Sequence, residues 1–236
     1  MGLTLEICVD TAAGLAEAVT GGADRIELCA ALALGGLTPS AGLMAIAARC
    51  PVPVMVMIRP RAGDFVWTEA DVGMMEAEIA ATRSAGLAGV VLGASRTDGR
   101  LDVPVLERLV AAAAGMDLTL HRAIDLAPDM GQALEVAVGL GFRRVLTSGG
   151  EKTAEAGAAR IAALVTQAAG RISIMPGSGV NPANARMLMG LGIAELHASC
   201  SSQYPATGKV VDLGFGPAVV RQTSADAVRA LRRALG

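Results

Sequence analysis

The stretch LEICVDTAAGLAEAVTGGADRIELC, residues 5–29, contains one complete strand–helix–strand unit. Its two ends, LEIC and RIELC, alternate apolar and polar residues, which is typical of half-buried β-strands. The Ala-rich stretch between them favours a helix. Gly21 and Gly22 suit the end of that helix because glycine adopts left-handed backbone angles at little cost. A helix that connects two short strands indicates a parallel β-sheet.

The same alternation repeats along the whole chain. We predict strands at Leu3–Cys8, Arg25–Cys29, Val54–Arg59, Gly89–Leu92, Asp117–His121, Arg144–Thr147, Ile172–Pro176 and Glu195–His197. We predict helices near Ala12–Thr20, Pro39–Ala48, Glu69–Ala85, Val103–Ala114, Met130–Gly139, Thr153–Ala168, Pro182–Gly190 and Ala225–Ala234. Eight such units without a linker predict an α/β fold, a (β/α)8 TIM barrel in one domain over residues 1–236. A doubly wound open sheet is the alternative, but no G-x-G-x-x-G sequence follows the first strand.

The composition indicates a globular protein with a large core. The chain has 236 residues, of which 53% are hydrophobic and 18% charged, and its mean hydropathy is +0.50. These values exclude a disordered chain. Lys and Arg number 20 against 22 Asp and Glu, so no basic excess favours a nucleic acid or an anionic membrane as partner.

The sequence also predicts a cytoplasmic location. The N-terminal stretch MGLTLEICVD has no basic segment followed by a signal-peptide apolar stretch. No apolar run reaches the ~20 residues that a membrane helix needs. The four cysteines are too few for a disulfide scaffold in a chain of this length.

Charged side chains end several of the predicted strands. Because successive side chains of a strand point to opposite faces, the apolar residues of each strand are expected to meet the helices and the polar ones to point into the barrel. Active sites of this fold lie at the C-terminal ends of the strands. A structural ion-pair network explains any single residue equally well, but the convergence of the whole set favours a functional site. The set comprises Glu6, Glu27, Arg59, Arg61, His121 and His197.

Two glycine-rich loops suit an anion. MPGSGVN, residues 175–181, follows the seventh strand, and LTSGGE, residues 146–151, follows the sixth. Such turns before a helix leave backbone N–H groups free to hold an anion. Tight βα turns are the alternative explanation, and it is stronger for Gly149-Gly150 than for Gly177-Ser178-Gly179.

Cys8 and Cys29 end the first two strands, which are neighbours at ~4.8 Å in a parallel sheet. Two soft thiolates suit Cu(I) better than hard cations. The spacing contains no C-x-x-C, however, and two ligands fall short of a tetrahedral zinc site. Two buried core cysteines explain the pattern as well.

Two loop features also attract notice. SSQYPATGKVVDLGFG, residues 201–216, is predicted to be the longest connection without regular structure. Loops of this length are uncommon unless they are functional or mobile, so a lid over the site is one hypothesis. Trp67, after the third strand, is expected to cover a ligand, to form an oligomer contact or to pack its own loop.

Several motifs together resemble the CutC family, which is named for copper homeostasis. They are LEICVD (residues 5–10), GADRIELC (22–29), GGLTPS (35–40), IRPRAGDF (58–65), LHRAID (120–125), VLTSGG (145–150) and GSGV (177–180). The resemblance extends from Leu5 to about Ser199. It implies a TIM barrel, a cytoplasmic location and a homodimer. It also implies Cu(I) ligands at the cysteines of the E-I-C and I-E-L-C motifs, which are Cys8 and Cys29 here.

Two functions therefore compete. The first is copper homeostasis, with Cu(I) as the only cofactor expected. The second is an enzyme for a small phosphorylated or carboxylated metabolite. It needs Arg59 and Arg61 as an anion clamp, together with Asp125 and the turn Gly177, Ser178 and Gly179. Glu6 or Glu27 would then be the general base and His121 or His197 the general acid. A purely structural role predicts an apolar mouth, which the sequence lacks.

Overall fold

The computed structural model describes residues 2–236, and eight of its strands form one parallel sheet. They are β1 Thr4–Val9, β2 Arg25–Leu28, β3 Val54–Met57, β4 Gly89–Leu92, β5 Asp117–Leu120, β6 Arg144–Thr147, β7 Ser173–Pro176 and β8 Glu195–Ala198. Their order is β7-β6-β5-β4-β3-β2-β1-β8. β7 also lies beside β8, so the sheet curves into a nearly closed barrel. The predicted (β/α)8 fold is confirmed.

Helices follow the strands and cover the outside of the barrel. They are α1 Ala12–Gly21, α2 Ala41–Ala47, α3 Glu69–Ser84, α4 Val103–Ala112, α5 Met130–Gly139, α6 Ala158–Ala168, α7 Ala185–Met189, α8 Lys209–Asp212 and α9 Ala225–Leu235. Short 3-10 turns occupy Leu32–Leu34 and Arg122–Leu126.

Two helices begin three or more residues later than the sequence predicted. α6 starts at Ala158 rather than Thr153, because the N–H of Ala154 donates to the carbonyl of Ser178 at 2.9 Å and holds this segment against the loop after β7. α7 starts at Ala185 rather than Pro182, because the side chain of Asn181 accepts from the N–H of Ala183 at 2.9 Å and forms a turn there.

The main apolar core lies between the sheet and the helices. Leu5 and Ile7 of β1 and Ile26 and Leu28 of β2 are fully buried in it. This is the face that the alternation of β1 and β2 assigned to the helices. The polar residues between them consequently point into the barrel.

An ion-pair network fills the barrel beneath its mouth. Arg25 donates to Glu6 and to Glu195. Arg144 donates to Glu195 at 2.9 Å and to Asp117 at 2.9 Å. These charges are paired with one another, which offsets much of the cost of removing them from water. The network forms a polar floor below the functional residues.

The segment predicted to lack structure is instead part of a hairpin. β9, Ser201–Pro205, pairs antiparallel with β10, Val219–Thr223, and α8 lies between them. The prediction was wrong because β9 contains Ser, Gln and Pro, which do not favour strands. β9 is a strand because its backbone is hydrogen-bonded to β10, and the local sequence of β9 does not indicate that pairing.

Among residues 2–236, no helix combines the length and the apolar character needed to cross a membrane.

Candidate functional site

A cavity of about 1260 Å³ opens at the C-terminal ends of the strands. Its volume exceeds that of many small-molecule sites, which are roughly 300–1,000 Å³. The hairpin forms part of its wall through Ser201, Gln203, Val219, Arg221 and Thr223. Both the barrel mouth and the C-terminal segment therefore contribute to one space.

The predicted site residues divide into two groups. Those that line the cavity are Cys8, Glu27, Arg59, His121, Ser178, Gly179 and His197. Those outside its lining are Glu6, Cys29, Arg61, Asp125 and Gly177.

Three buried side chains at the cavity wall carry groups that bind metals. The strand register places Cys8 opposite Glu27 and Glu6 opposite His197. One ligand atom from each of Cys8, Glu27 and His197 lies within 4.8 Å of the other two. A thiol, a carboxylate and an imidazole are thus brought together from β1, β2 and β8.

Glu6 orients the imidazole of this cluster. His197 Nδ1 lies 2.8 Å from Glu6 Oε1, and His197 Nε2 lies 3.8 Å from Glu27 Oε2. Burial alone would raise the pKa of Glu6, but the hydrogen bond with His197 and the charge of Arg25 lower it to about 2. Glu6 is therefore an anion that fixes His197 from beneath.

The electrostatics favour a charged imidazole in the absence of a metal. Burial alone would lower the pKa of His197, but Glu27, Cys8 and Glu6 together raise it well above its usual value. His197 is thus held as a cation between two acidic side chains. A group of this kind can exchange its proton for a metal ion or pass it to a bound molecule.

Cys29 lies next to this cluster rather than within it. Its Sγ donates to Glu27 Oε2 at 3.5 Å, and its side chain is fully buried. Burial and the neighbouring Glu27 raise the pKa of the Cys29 thiol well above its usual value. Cys29 is therefore a thiol at neutral pH unless a metal ion displaces its proton.

Arg59 is a buried cation held by carbonyl groups. Its Nη1 donates to the carbonyls of Leu34 and Gly36 at 3.0 and 3.1 Å, and its Nη2 donates to that of Gly63 at 2.8 Å. Its Nε has no hydrogen-bond partner in the part of the chain that the structure describes. Burial and the nearby charge of Arg61 lower its pKa.

His121 is neutral and has one free donor. Its Nδ1 accepts from the N–H of Ala123 at 3.1 Å, so the proton resides on Nε2. Burial and the charge of Arg59 lower its pKa to about 3. Nε2 has no partner among the described residues. The Phe65 ring packs against both side chains, 4.5 Å from the His121 ring and 5.0 Å from the Arg59 guanidinium.

Arg61 and Trp67 stabilise the loop after β3. Arg61 donates to Asp64 at 3.0 Å and lies 4.9 Å from the centre of the Trp67 ring. Trp67 Nε1 donates to the carbonyl of Gly93 at 2.9 Å. These contacts agree with the loop-packing interpretation of Trp67, and Arg61 does not line the cavity.

Asp125 organises the loop after β6. It accepts from the N–H groups of Ser148 and Gly150, both at 3.1 Å, and from Arg122 at 2.7 Å. Gly177, in the next loop, donates its N–H to the carbonyl of Thr147 at 2.9 Å. Asp125 and Gly177 therefore hold loops in place beside the cavity.

Asp10, Phe65 and Asn181 are among the cavity residues that the sequence analysis did not name as site residues. Asp10 directly follows β1, so its position at a strand end could have indicated it. Phe65 and Asn181 lie in loops, where side-chain alternation gives no direction.

The fold and the cavity together define a (β/α)8-barrel protein with a buried Cys–Glu–His cluster at its strand ends. Residues 3–202 match the family model of the CutC family. The chain belongs to the CutC family.

Relatives from rhizobia match over almost the whole chain. A CutC family protein of Sinorhizobium medicae is 57% identical over 235 residues, which cover 99% of this chain and 96% of the relative. One from Rhizobium meliloti is 56% identical with the same coverage. The crystal structure of CutC from Streptococcus agalactiae superposes with a TM-score of 0.80 at 32% identity and covers 84% of this chain and 98% of that one.

Proposed function

We propose that this chain acts in copper homeostasis and binds Cu(I) through Cys8 and Cys29, with His197 as a further ligand. The observation that carries this proposal is the approach of Cys8, Glu27 and His197 within 4.8 Å in a buried site. Thiolate and imidazole are ligands that Cu(I) prefers. The name of the Streptococcus agalactiae relative also connects that protein with copper homeostasis.

The residues around the cluster fit a metal ion. Imidazole ligands commonly donate their second ring N–H to a carboxylate, which fixes the other nitrogen toward the metal. The contact between His197 Nδ1 and Glu6 at 2.8 Å has this arrangement. Glu27 Oε1 is buried without a hydrogen-bond partner among the described residues, so the cluster contains an acceptor that a cation would satisfy.

The second thiol is adjacent to the cluster. Cys29 contacts Glu27 at 3.5 Å, and its raised pKa means that Cu(I) has to displace its proton. Cys8 lines the cavity, whereas Cys29 does not. We therefore expect Cys8 to contribute more to copper affinity than Cys29.

Anaerobic titration against a Cu(I) chelator tests the proposal. Removing a residue that only hydrogen-bonds to a metal ligand typically weakens metal affinity by about 10–100-fold. Replacing both proposed ligands, in the C8S/C29S double variant, should therefore weaken Cu(I) affinity by more than this. The C8S variant alone should bind Cu(I) more weakly than the C29S variant. The C50S variant is the matched control, because Cys50 does not line the cavity.

A C8S/C29S double variant that binds Cu(I) as tightly as the wild type would refute the copper site. If the C50S control lost as much Cu(I) affinity as the double variant, the affinity would not be specific to Cys8 and Cys29.

We also propose that the protein is a cytoplasmic homodimer. All four of its cysteines are free, which suits a reducing compartment. The hairpin region carries exposed apolar side chains, including Leu213 at 67% and Phe215 at 81%. Exposed apolar residues grouped in this way favour burial against a second copy of the chain.

A further inference from the structure

One wall of the cavity contains hydrogen-bond donors without acceptors. Arg59 and His121 line this wall and are 6% and 3% exposed. Arg59 Nε and His121 Nε2 both lack a partner among the described residues. Buried polar groups are normally paired, and each unpaired one requires a physical explanation.

The guanidinium of Arg59 has one nitrogen without a partner among the described residues, Nε. Nη1 donates to the carbonyls of Leu34 and Gly36, and Nη2 donates to that of Gly63. A charged N–H donor of this kind forms strong hydrogen bonds with the oxygen atoms of a carboxylate or phosphoryl group.

His121 adds a second donor to the same region. Its Nδ1 is committed to Ala123, so Nε2 carries a proton that no described residue accepts. Arg59 and His121 both contact the Phe65 ring. The Phe65 ring therefore packs against the side chains of both donors.

Among residues 2–236, the groups that accept hydrogen bonds from Arg59 are neutral carbonyls and not carboxylates. Burial lowers the pKa of Arg59, and the charge of Arg61, a second cation, lowers it further. A buried cation without an anion is costly. In this low-dielectric environment an oxyanion from solution would interact with it more strongly than at the protein surface.

Acidic residues lie elsewhere on the cavity wall. Asp10 and Glu27 line it together with Arg59 and His121. Their carboxyl oxygens can accept hydrogen bonds from the hydroxyl groups of a bound molecule. The volume of about 1260 Å³ also exceeds what a metal ion needs.

We propose that the cavity binds a small organic anion, with its carboxylate or phosphoryl group on Arg59 Nε and on His121 Nε2, and with hydroxyl groups directed toward Asp10. Phe65 moves away from Arg59 and His121 when the anion enters. Such binding is also what the enzyme hypothesis for a small anionic metabolite requires.

The single tryptophan of the chain reports on this movement. The Trp67 ring lies 6.3 Å from the Phe65 ring in an edge-on arrangement. Titration with lactate, with glycerol 3-phosphate and with uncharged glycerol should be followed by Trp67 fluorescence and by calorimetry. We expect a saturable response to at least one of the two anions and none to glycerol. The preferred anion distinguishes a carboxylate from a phosphoryl ligand.

Variants of the two donors assign the response to this wall. R59K keeps the charge but loses the Nε donor, so affinity should fall by about tenfold or more. H121F removes the second donor and should also weaken binding. R100M is the control, because Arg100 is exposed and pairs with Asp98 at 3.8 Å. Circular dichroism establishes that each variant is folded.

The proposal is overturned if neither anion binds in the millimolar range, if glycerol binds equally well, or if folded R59K and H121F variants bind like R100M. Anion titrations contain a copper chelator, and Cu(I) titrations contain no added anion. Failure of the anion site is thereby measured separately from failure of the copper site.

Discussion

At the scale of single residues, the two histidines of the chain have opposite electrostatic surroundings. His197 contacts Glu6 and Glu27, whereas His121 is buried near the cation Arg59. Acidic neighbours stabilise the imidazolium, and a cationic neighbour together with burial destabilises it. The same side chain is thereby charged on one side of the cavity and neutral on the other.

The low pKa of His121 predicts a loss of stability in acid. Its pKa falls from 6.5 to about 3 on folding, so between these values the unfolded chain binds a proton that the native protein does not. The free energy of unfolding then decreases as the pH falls, by up to about 1.4 kcal/mol for each pH unit. H121Q should show a shallower decrease in urea unfolding across this window.

His197 does not contribute to this slope. Its pKa is raised on folding, so it is protonated in both states below 6.5, and its stabilising effect is lost only as the pH rises through its native value. Glu6 and Glu27 are present in both the wild type and the H121Q variant, so their titration does not account for a difference between the two slopes. Identical slopes for wild type and H121Q would contradict the assignment.

The alternation of side chains along the strands predicted much of the site, but it gave no information about residues beyond the strand ends. Cys8, Glu27 and His197 lie in strands or directly at their ends, and the structure brings them together. Arg61 lies beyond β3, in a loop where alternation no longer sets direction, and it pairs with Asp64 outside the cavity. The expected clamp of two arginines thus has only Arg59 at the cavity wall.

At the scale of elements, the N- and C-terminal helices are packed through a glycine. A Cβ atom at Gly21 of α1 would lie 2.4 Å from Val228 Cβ of α9. Because helix backbones can approach closely only where side chains are small, this position sets the distance between α1 and α9. The C-terminal helix is thereby docked on the first strand–helix unit.

G21A should therefore destabilise the protein, by about 1–3 kcal/mol, because overpacking a close contact forces neighbouring atoms to shift. G73A is the matched control. Gly73 lies in α3 with nothing within 4 Å of an added Cβ, so alanine there should stabilise by about 0.5–1 kcal/mol. Urea unfolding measures both, and a G21A variant as stable as G73A would contradict the packing.

The regular elements were predictable because each strand–helix unit carries its own apolar pattern. The hairpin was not predictable in the same way, because β9 and β10 are stabilised by pairing with each other, and α8 lies between them in the sequence. Contacts between segments that are distant in the sequence do not produce a hydrophobic periodicity within either segment. Phe65 was missed for the same reason, since its role arises from Arg59 and His121.

At the scale of the whole molecule, the barrel face and the hairpin face have different characters. The mouth gathers charged and hydrogen-bonding groups, while the region around α8 exposes Val210, Leu213 and Phe215. None of these three residues lines the cavity. Substitutions there therefore test the proposed assembly without changing a residue of the proposed copper or anion site.

Replacing Leu213 and Phe215 by serine should convert the proposed homodimer into a monomer without unfolding the barrel. Light scattering coupled to gel filtration measures the mass of each species. M74S is the control, because Met74 is also exposed but lies in α3. A monomeric wild type, or a dimer that persists in the double serine variant, would contradict the proposal.

The sheet order leaves β7 and β8 side by side without a shared ladder. The facing backbone groups of β7 and β8 are not paired in a ladder. The amide protons of the barrel should therefore exchange with deuterium first at the β7–β8 boundary. His197 is in β8 and Ser178 follows β7. Local opening of the barrel wall between β7 and β8 would widen the mouth beside His197. The proposed ligands would then have an entrance at the side of the barrel.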